Sequence, residues 1–416
     1  MGSDEHLSLS RQTHLQAHRL PVADVELGKQ IMGYKDQLTA KRLGGYMLTS
    51  PPPSPTIEIV SMNFASDNQS GVSPAVLQGI VEASKGVAGS YSNDHWTQAA
   101  VAQLSAIFEK PVQAFFVATG TASNCLALSA LVQPWHSILC HSQAHIAVDE
   151  LSAPELFTGG ARLVLMGDDG DKLTAQCLSD TLQSLPKDRP HNQIPGALSI
   201  TQCTESGLVY SVEEVRALTE VAHAADMRVH MDGARFSNAL ATLNCTPADI
   251  TWKAGVDVLC LGASKNGALA LEAVIFFDEA LAKDFDLRRK RAGHLVSKGR
   301  LFGGQMCAWL KDDHWLTLAR HANEIALALE QCLQPYPAIQ IAWPVQANEL
   351  FAVIPVALFE HLKAQGVRLN DWLPNSVPQA LDIKADHLAV RFVTSFESEL
   401  AEVQQLQDVL AAYFAS

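Results

Sequence analysis

The chain has no run of about 18 consecutive apolar residues, which excludes a helix that crosses a membrane. Its opening, MGSDEHLSLSRQTHLQAHRL, lacks the basic-then-apolar order of a secretory signal, and His6 stands where N-myristoylation needs Ser or Thr. Basic charge is short: 30 Lys and Arg against 44 Asp and Glu leave −14, which argues against a general binder of nucleic acid or of an anionic membrane. None of the eight cysteines stands in a Cys-x-x-Cys pair or a tight Cys/His cluster. They read as free thiols of a reducing compartment, the cytoplasm, with no metal site among them. No Gly-x-Gly-x-x-Gly follows a strand-like run and no P-loop is present, so a nucleotide-dependent dehydrogenase or kinase is disfavoured. Internal repeats are absent.

What is there is an ordinary globular composition. Of the 416 residues, 48% are hydrophobic and 18% charged, enough for a large core and about two to three domains. Residues 1–60 stand apart as an arm or linker: polar, then helix-compatible from Val22 to Arg42, then broken by Pro51-Pro52-Pro53-Ser54-Pro55. The arm either packs on a partner subunit or is a disordered leader with a surface helix. From residue 61 short apolar runs alternate with helical patterns. The runs are Phe115–Ala118, Ser137–Cys140, Arg162–Met166, Ala197–Thr201, Arg228–Met231, Val256–Leu261 and Ala273–Phe277. Ser211–Ala225 opens with a Ser-x-x-Glu capping box. This alternation predicts an α/β large domain over 61–315, with a mostly parallel sheet and helices on both faces. After a long helix from about Trp315 to Cys332, strand-like Ile339–Trp343, Leu350–Ile354 and Leu388–Phe392 mix with helical Val356–Gln365 and Glu397–Ala415. They predict a smaller α/β domain over 316–416.

Ligands of such sheets bind beyond the carboxyl ends of the strands. Three strand ends carry chemistry. At Ala118–Asn124 a Gly120-Thr121 turn opens a helix, whose free N–H groups and dipole suit a phosphate. At Val229–Arg235 a carboxylate, Asp232, follows an apolar strand; Arg235 or a ligand cation could be its partner. At Val258–Gly267 a lysine, Lys265, sits among small residues that let a ring approach and lower its pKa by desolvation. Alone, the carboxylate and the lysine each have a bland alternative: a structural Asp–Arg pair and a snorkelling lysine. Together they match what pyridoxal 5'-phosphate (PLP) needs: a phosphate anchor, an acid for the pyridine nitrogen and an amine for the aldehyde.

Seven segments carry a resemblance: Asn63–Val72, Tyr91–Thr97, Phe116–Asn124, Cys140–Glu155, Ser199–Ser211, His230–Asn238 and Thr251–Gly267. In them the chain resembles the low-specificity L-threonine aldolases, PLP enzymes of fold type I (aspartate-aminotransferase-like) within the β-eliminating lyase group. The resemblance spans about residues 61 to 400 and is closest to the bacterial branch with Asp-x-Trp-Thr and Thr-Glu-x-Gly. It implies a lyase that cleaves L-threonine, L-allo-threonine or related β-hydroxy-α-amino acids such as phenylserine to glycine and an aldehyde. It further implies a homodimer or homotetramer with shared active sites. Lys265 matches the Schiff-base lysine, Asp232 the acid partner, Gly120 and Thr121 the phosphate turn, and His145 the histidine over the ring. Ser66, Arg235 and Arg391 match the groups that hold the substrate carboxylate; Tyr91 and Lys298 match contributors from a partner subunit. Where many members carry a histidine the chain has Glu205, and Asp149 stands where an aromatic is common. The base for the β-hydroxyl is therefore His145, Glu205 or a water between them, and Asp149 joins the substrate-facing set. The basic run Arg288–Arg291, with Lys298 and Arg300, reads as a solvated helix face or as help for the cofactor phosphate. Other PLP chemistries (lyase, racemase, aminotransferase) and a non-catalytic PLP-binding protein are the rivals.

Overall fold

The short apolar runs become strands of one sheet, largely buried at its centre and partly exposed at its two edges. A computed structural model describes residues 62–167, 170–378, 380–381 and 383–415; the arm expected over 1–60 lies outside the described residues. Seven strands form one sheet: β1 (Gln113–Val117), β2 (His136–His141), β3 (Arg162–Met166), β4 (Ile194–Thr201), β5 (Arg228–Gly233), β6 (Val258–Gly262) and β7 (Glu272–Phe276). Their order is β1-β7-β6-β5-β4-β2-β3, with β7 antiparallel to both neighbours and every other pairing parallel. The mostly parallel α/β sheet is thus as expected. In β6 and β7 every residue is buried, which is why they read as unbroken apolar runs rather than alternating ones.

Helix Gly120–Leu131 is buried from Ala122 through Ser129. Such a helix has no polar face to display, and its sequence shows little amphipathic pattern. Helix Val212–Ala224 does show one, and its capping box forms: Ser211 Oγ accepts from Glu214 N, and Glu214 accepts from Ser211 N.

The second sheet contains β8 (Gln340–Ile341), β9 (Glu349–Pro355), β10 (Asn370–Asp371) and β11 (His387–Val393) in the order β10-β11-β9-β8, all antiparallel. The strand expected over Ile339–Trp343 shortens to Gln340–Ile341; Ala342 N still donates to Phe351 O (2.8 Å), and Pro344, which has no N–H, lies two residues further on. Leu350, Ala352, Ile354 and Phe392 pack with Leu406, Leu410 and Phe64 in its core. Phe64 is pinned by its N–H to Arg368 O (2.8 Å) and by its carbonyl, which accepts from Val393 N (2.8 Å). That seam brings Ser66 and Asp67 beside β11, and so beside Arg391.

Candidate active site

The carboxyl ends of β1, β5 and β6 converge on a cavity of about 330 Å³ whose walls include Gly120, Thr121, His145, Asp232 and Lys265. One glycine permits this. A Cβ on Gly262, at the end of β6, would lie 2.6 Å from Ala234 O and 2.7 Å from Ala234 Cα, so only glycine lets the Asp232 and Lys265 loops close on each other.

After β1, Thr119 caps the buried helix: its Oγ1 accepts from Ala122 N (3.2 Å) and its carbonyl from Ser123 N (3.1 Å). The first N–H groups of a helix have no partner within it, so those of Gly120 and Thr121 are left to the cavity. A Cβ on Gly120 would meet nothing within 4 Å. Open space beside a helix N-terminus can take an anion.

Asp232 is buried at the end of β5. Its Oδ2 accepts from Asn124 Nδ2 (2.8 Å) and its Oδ1 from Ala234 N (3.0 Å). Arg235 is not its partner, which corrects one of the two options the sequence left. The guanidinium turns instead to Asp67, with Nε 2.7 Å from Oδ2 and Nη2 3.0 Å from Oδ1, while Nη1 lies 3.1 Å from Glu349 Oε2. Among the described residues no Lys or Arg forms an ion pair with Asp232, which borders the cavity.

Asn124 and Glu150 were not singled out from sequence, yet they organise the site. Asn124 Nδ2 also donates to Glu150 Oε1 (2.9 Å), and that oxygen lies 2.8 Å from His145 Nδ1. Asp232, Asn124, Glu150 and His145 thus form one hydrogen-bonded chain. The hydrogen bond to Glu150 is the main reason the His145 imidazole is raised to about 9; burial opposes it, and the charges of Glu205 and Asp232 add to it. His145 therefore carries a proton at neutral pH and becomes a base only after passing it on. Its stabilisation of the fold is complete below the ordinary value of 6.5 and is lost as the pH rises through about 9. The melting temperature is expected to fall over that interval, and to fall less in Glu150→Gln. Equal slopes in the two proteins would disprove the pairing as the source.

Glu205 stands in the turn after β4. Desolvation pushes its carboxyl above the usual range, against the pull of Lys265, His145 and Arg235. With Asp149, Val148 and Trp372 it borders a second chamber of about 410 Å³. Asp171 holds the turn from below by accepting from Thr204 Oγ1.

Lys265 lies in the short turn Ser264–Asn266 after β6. The turn is fixed on both sides: Asn266 Nδ2 donates to Trp315 O (2.8 Å) and Trp309 Nε1 donates to Asn266 O (2.7 Å). Beside it, Ser264 Oγ donates to Glu272 Oε1 (2.6 Å), and burial pushes the Glu272 carboxyl up to about 7.

The remaining expected residues fall in three places. Arg391 lies on β11 with its guanidinium carbon 3.7 Å from the centroid of Trp372, and Nη1 is 3.5 Å from Glu349 Oε1. Ser66 Oγ accepts from Asn68 N (3.2 Å), capping the short turn that carries Asp67. Tyr91 and Lys298 are exposed and neither lines the cavity; Tyr91 N donates to Ser297 O, which ties their segments together. The basic run divides. Arg289 is buried and donates to Phe116 O (3.2 Å) and Asp286 Oδ1 (2.8 Å), anchoring its helix to β1 rather than facing solvent.

Known proteins match the chain over most of its length. Residues 63–355 match the family model described as β-eliminating lyase. The chain is 38% identical over 346 residues to a low-specificity L-threonine aldolase of Pseudomonas aeruginosa, covering 83% of this chain and 96% of that one. Among solved structures, a Leishmania major threonine aldolase matches with a TM-score of 0.78 at 25% identity, over 85% of this chain and 99% of that one. A structure of SPT with PLP as an internal aldimine matches in fold, with a TM-score of 0.60 at 14% identity, over 85% of this chain and 87% of that one.

Proposed function

From the premise that this chain belongs to the β-eliminating lyase family, in its low-specificity L-threonine aldolase branch, we propose that it cleaves β-hydroxy-α-amino acids such as L-threonine to glycine and an aldehyde with PLP. The observation that carries the reading is the chain Asp232–Asn124–Glu150–His145, which shares a cavity with Lys265 and with the free N–H groups at Gly120 and Thr121.

The residues suit that cofactor. A helix N-terminus with open space beside it suits its phosphate. A buried carboxylate with no ion pair among the described residues suits its pyridinium nitrogen, and an amine among small residues suits its aldehyde. Bound there, PLP supplies an electron sink for the pair released when Cα–Cβ breaks.

The protein's own groups do the rest. Asp232, whose two oxygens accept from Asn124 Nδ2 and Ala234 N, is the carboxylate that would face the ring nitrogen and favour its protonated form. Arg391 receives the substrate carboxylate, its plane set by the face of Trp372. Arg235 cannot present the same fork, because Asp67 has taken it. Ser66 serves by shaping the turn that carries Asp67. His145, oriented through Nδ1 by Glu150, and Glu205 flank the β-hydroxyl, and one of them takes its proton. The β-substituent extends toward the second chamber, past Asp149.

Eight free thiols suit the cytoplasm. Among the described residues no helix is long and apolar enough to cross a membrane. Tyr91 and Lys298, away from the cavity of their own subunit, would complete the site of a neighbour in a homodimer or homotetramer. The test of the activity is product analysis. PLP-loaded protein given L-threonine, L-allo-threonine or L-phenylserine is expected to release glycine and acetaldehyde or benzaldehyde in equal amounts. Ammonia with a keto acid in their place would show elimination and sink the aldolase reading.

A further inference from the structure

Arg235 and Arg391 lie close to two carboxylates, Asp67 and Glu349. Two guanidinium groups and two carboxylates, all largely buried, are a balanced set. A substrate carboxylate arriving at Arg391 makes three anions against two cations where water is scarce, and an uncompensated buried charge is costly. One of the two resident carboxylates must change state.

They are held differently. Asp67 takes the forked edge of Arg235 at 2.7 and 3.0 Å and a third bond from Asn348 Nδ2 at 3.0 Å. Against the cost of burial, Arg235 and Lys265 hold its carboxyl below the usual range. Glu349 has no such support. Both its oxygens are buried with no hydrogen-bond partner, and it meets Arg235 Nη1 only at 3.1 Å and Arg391 Nη1 at 3.5 Å. Burial, more than the two arginines can offset, pushes its carboxyl up to about 7. The charged groups facing it are Arg235 before helix Phe236–Leu243, Arg391 on β11, Asp67 in the turn Asp67–Gln69 and Glu205 after β4. The Cys203 thiol also feels it, and stays protonated through burial. Arg391 Nε is itself a buried donor without a partner, so this guanidinium has an edge to give.

We propose that Glu349 is a resident counter-ion for Arg391 that takes up one proton when an amino-acid carboxylate binds there, so that carboxylate recognition is coupled to proton uptake. The proton comes from solvent to a Glu349 oxygen, and no covalent bond of the substrate changes. The inference rests on the reading above that Arg391 receives the substrate carboxylate.

The test uses full-length, PLP-loaded protein and titration calorimetry at pH 8 in buffers of different ionisation enthalpy. Glycine is compared with glycinamide, which lacks the carboxylate and has a less basic amine, each uptake being corrected for the protonation of the free ligand's own amine at that pH. Glycine is expected to take up close to one proton more per site than glycinamide. In parallel, KM for L-threonine should rise above pH 7 by up to about tenfold per unit, the limit for one linked proton. In Glu349→Gln the extra uptake and this slope should vanish while glycine still binds. Equal uptake for glycine and glycinamide in the unaltered protein would overturn the proposal, as would a Gln variant that keeps the difference. That first comparison decides the matter even if the variant does not fold. Should the unaltered protein bind neither ligand and leave L-threonine uncleaved, the aldolase reading fails as well, and the two failures are told apart.

Discussion

Lys265→Ala is expected to lower glycine release from L-threonine by about 10³-fold or more, the scale on which removal of a nucleophile acts. It should do so without unfolding the protein. The turn that presents Lys265 is held by Asn266 and Trp309, through bonds to Trp315 O and Asn266 O that the substitution leaves intact. The ammonium also faces the carboxyls of Asp67, Glu205 and Glu272, all of which its charge lowers. Its removal should therefore raise their proton affinity and leave the cavity more negative. Two measurements check this: the melting temperature, expected to move little, and turnover followed by glycine formation together with the visible absorbance of bound PLP. Full turnover with an unchanged chromophore in Lys265→Ala would remove the lysine from the chemistry.

Asp232→Asn carries the second large effect. Asparagine keeps the shape of the side chain and can still accept from Asn124 Nδ2 or Ala234 N, the two donors that now hold the carboxylate. What it loses is the charge, and with it the group that keeps a proton on the ring nitrogen. A fall in kcat on the order of 10²-fold or more is expected, as for other losses of electrostatic support at a developing charge. Among the described residues the carboxylate has no ion-pair partner to release, so stability should change far less than activity. A variant with kcat near that of the unaltered protein would show that Asp232 is structural. Asn124→Ala should lower kcat less than Asp232→Asn does. It frees both Asp232 and Glu150 from a shared donor, and so loosens His145 at one remove.

Much of the fold was legible in the sequence. The inner strand runs fell on β2, β4, β5, β6 and β7 because residues buried on both faces must be apolar with little interruption, and that pattern is local. Ser211 and Glu214 announced a helix start because a capping box is completed within four residues. Lys265, Asp232 and the Gly120-Thr121 turn were legible for a related reason. Each follows a strand, and in a parallel sheet the ends of the strands lie on one edge whatever their distance along the chain.

The partners of the charged groups were a different matter. Arg235 stands three residues from Asp232, yet its forked bond goes to Asp67, 168 positions away. Asp232 is held by Asn124, 108 positions away, and His145 owes its raised proton affinity chiefly to Glu150, which also meets Asn124. Glu349 gave no signal in the sequence, where it is one more glutamate at the start of a strand. A charge is committed by the geometry and dryness of what surrounds it, and those depend on contacts that close only when the two sheets and the Phe64 seam are in place. The sequence by itself determined the elements, the edge where they place their chemistry and the kind of cofactor that edge can hold. Tertiary structure alone decided which arginine is spent on an aspartate, which remains open to a substrate, and which buried carboxylate stands between them.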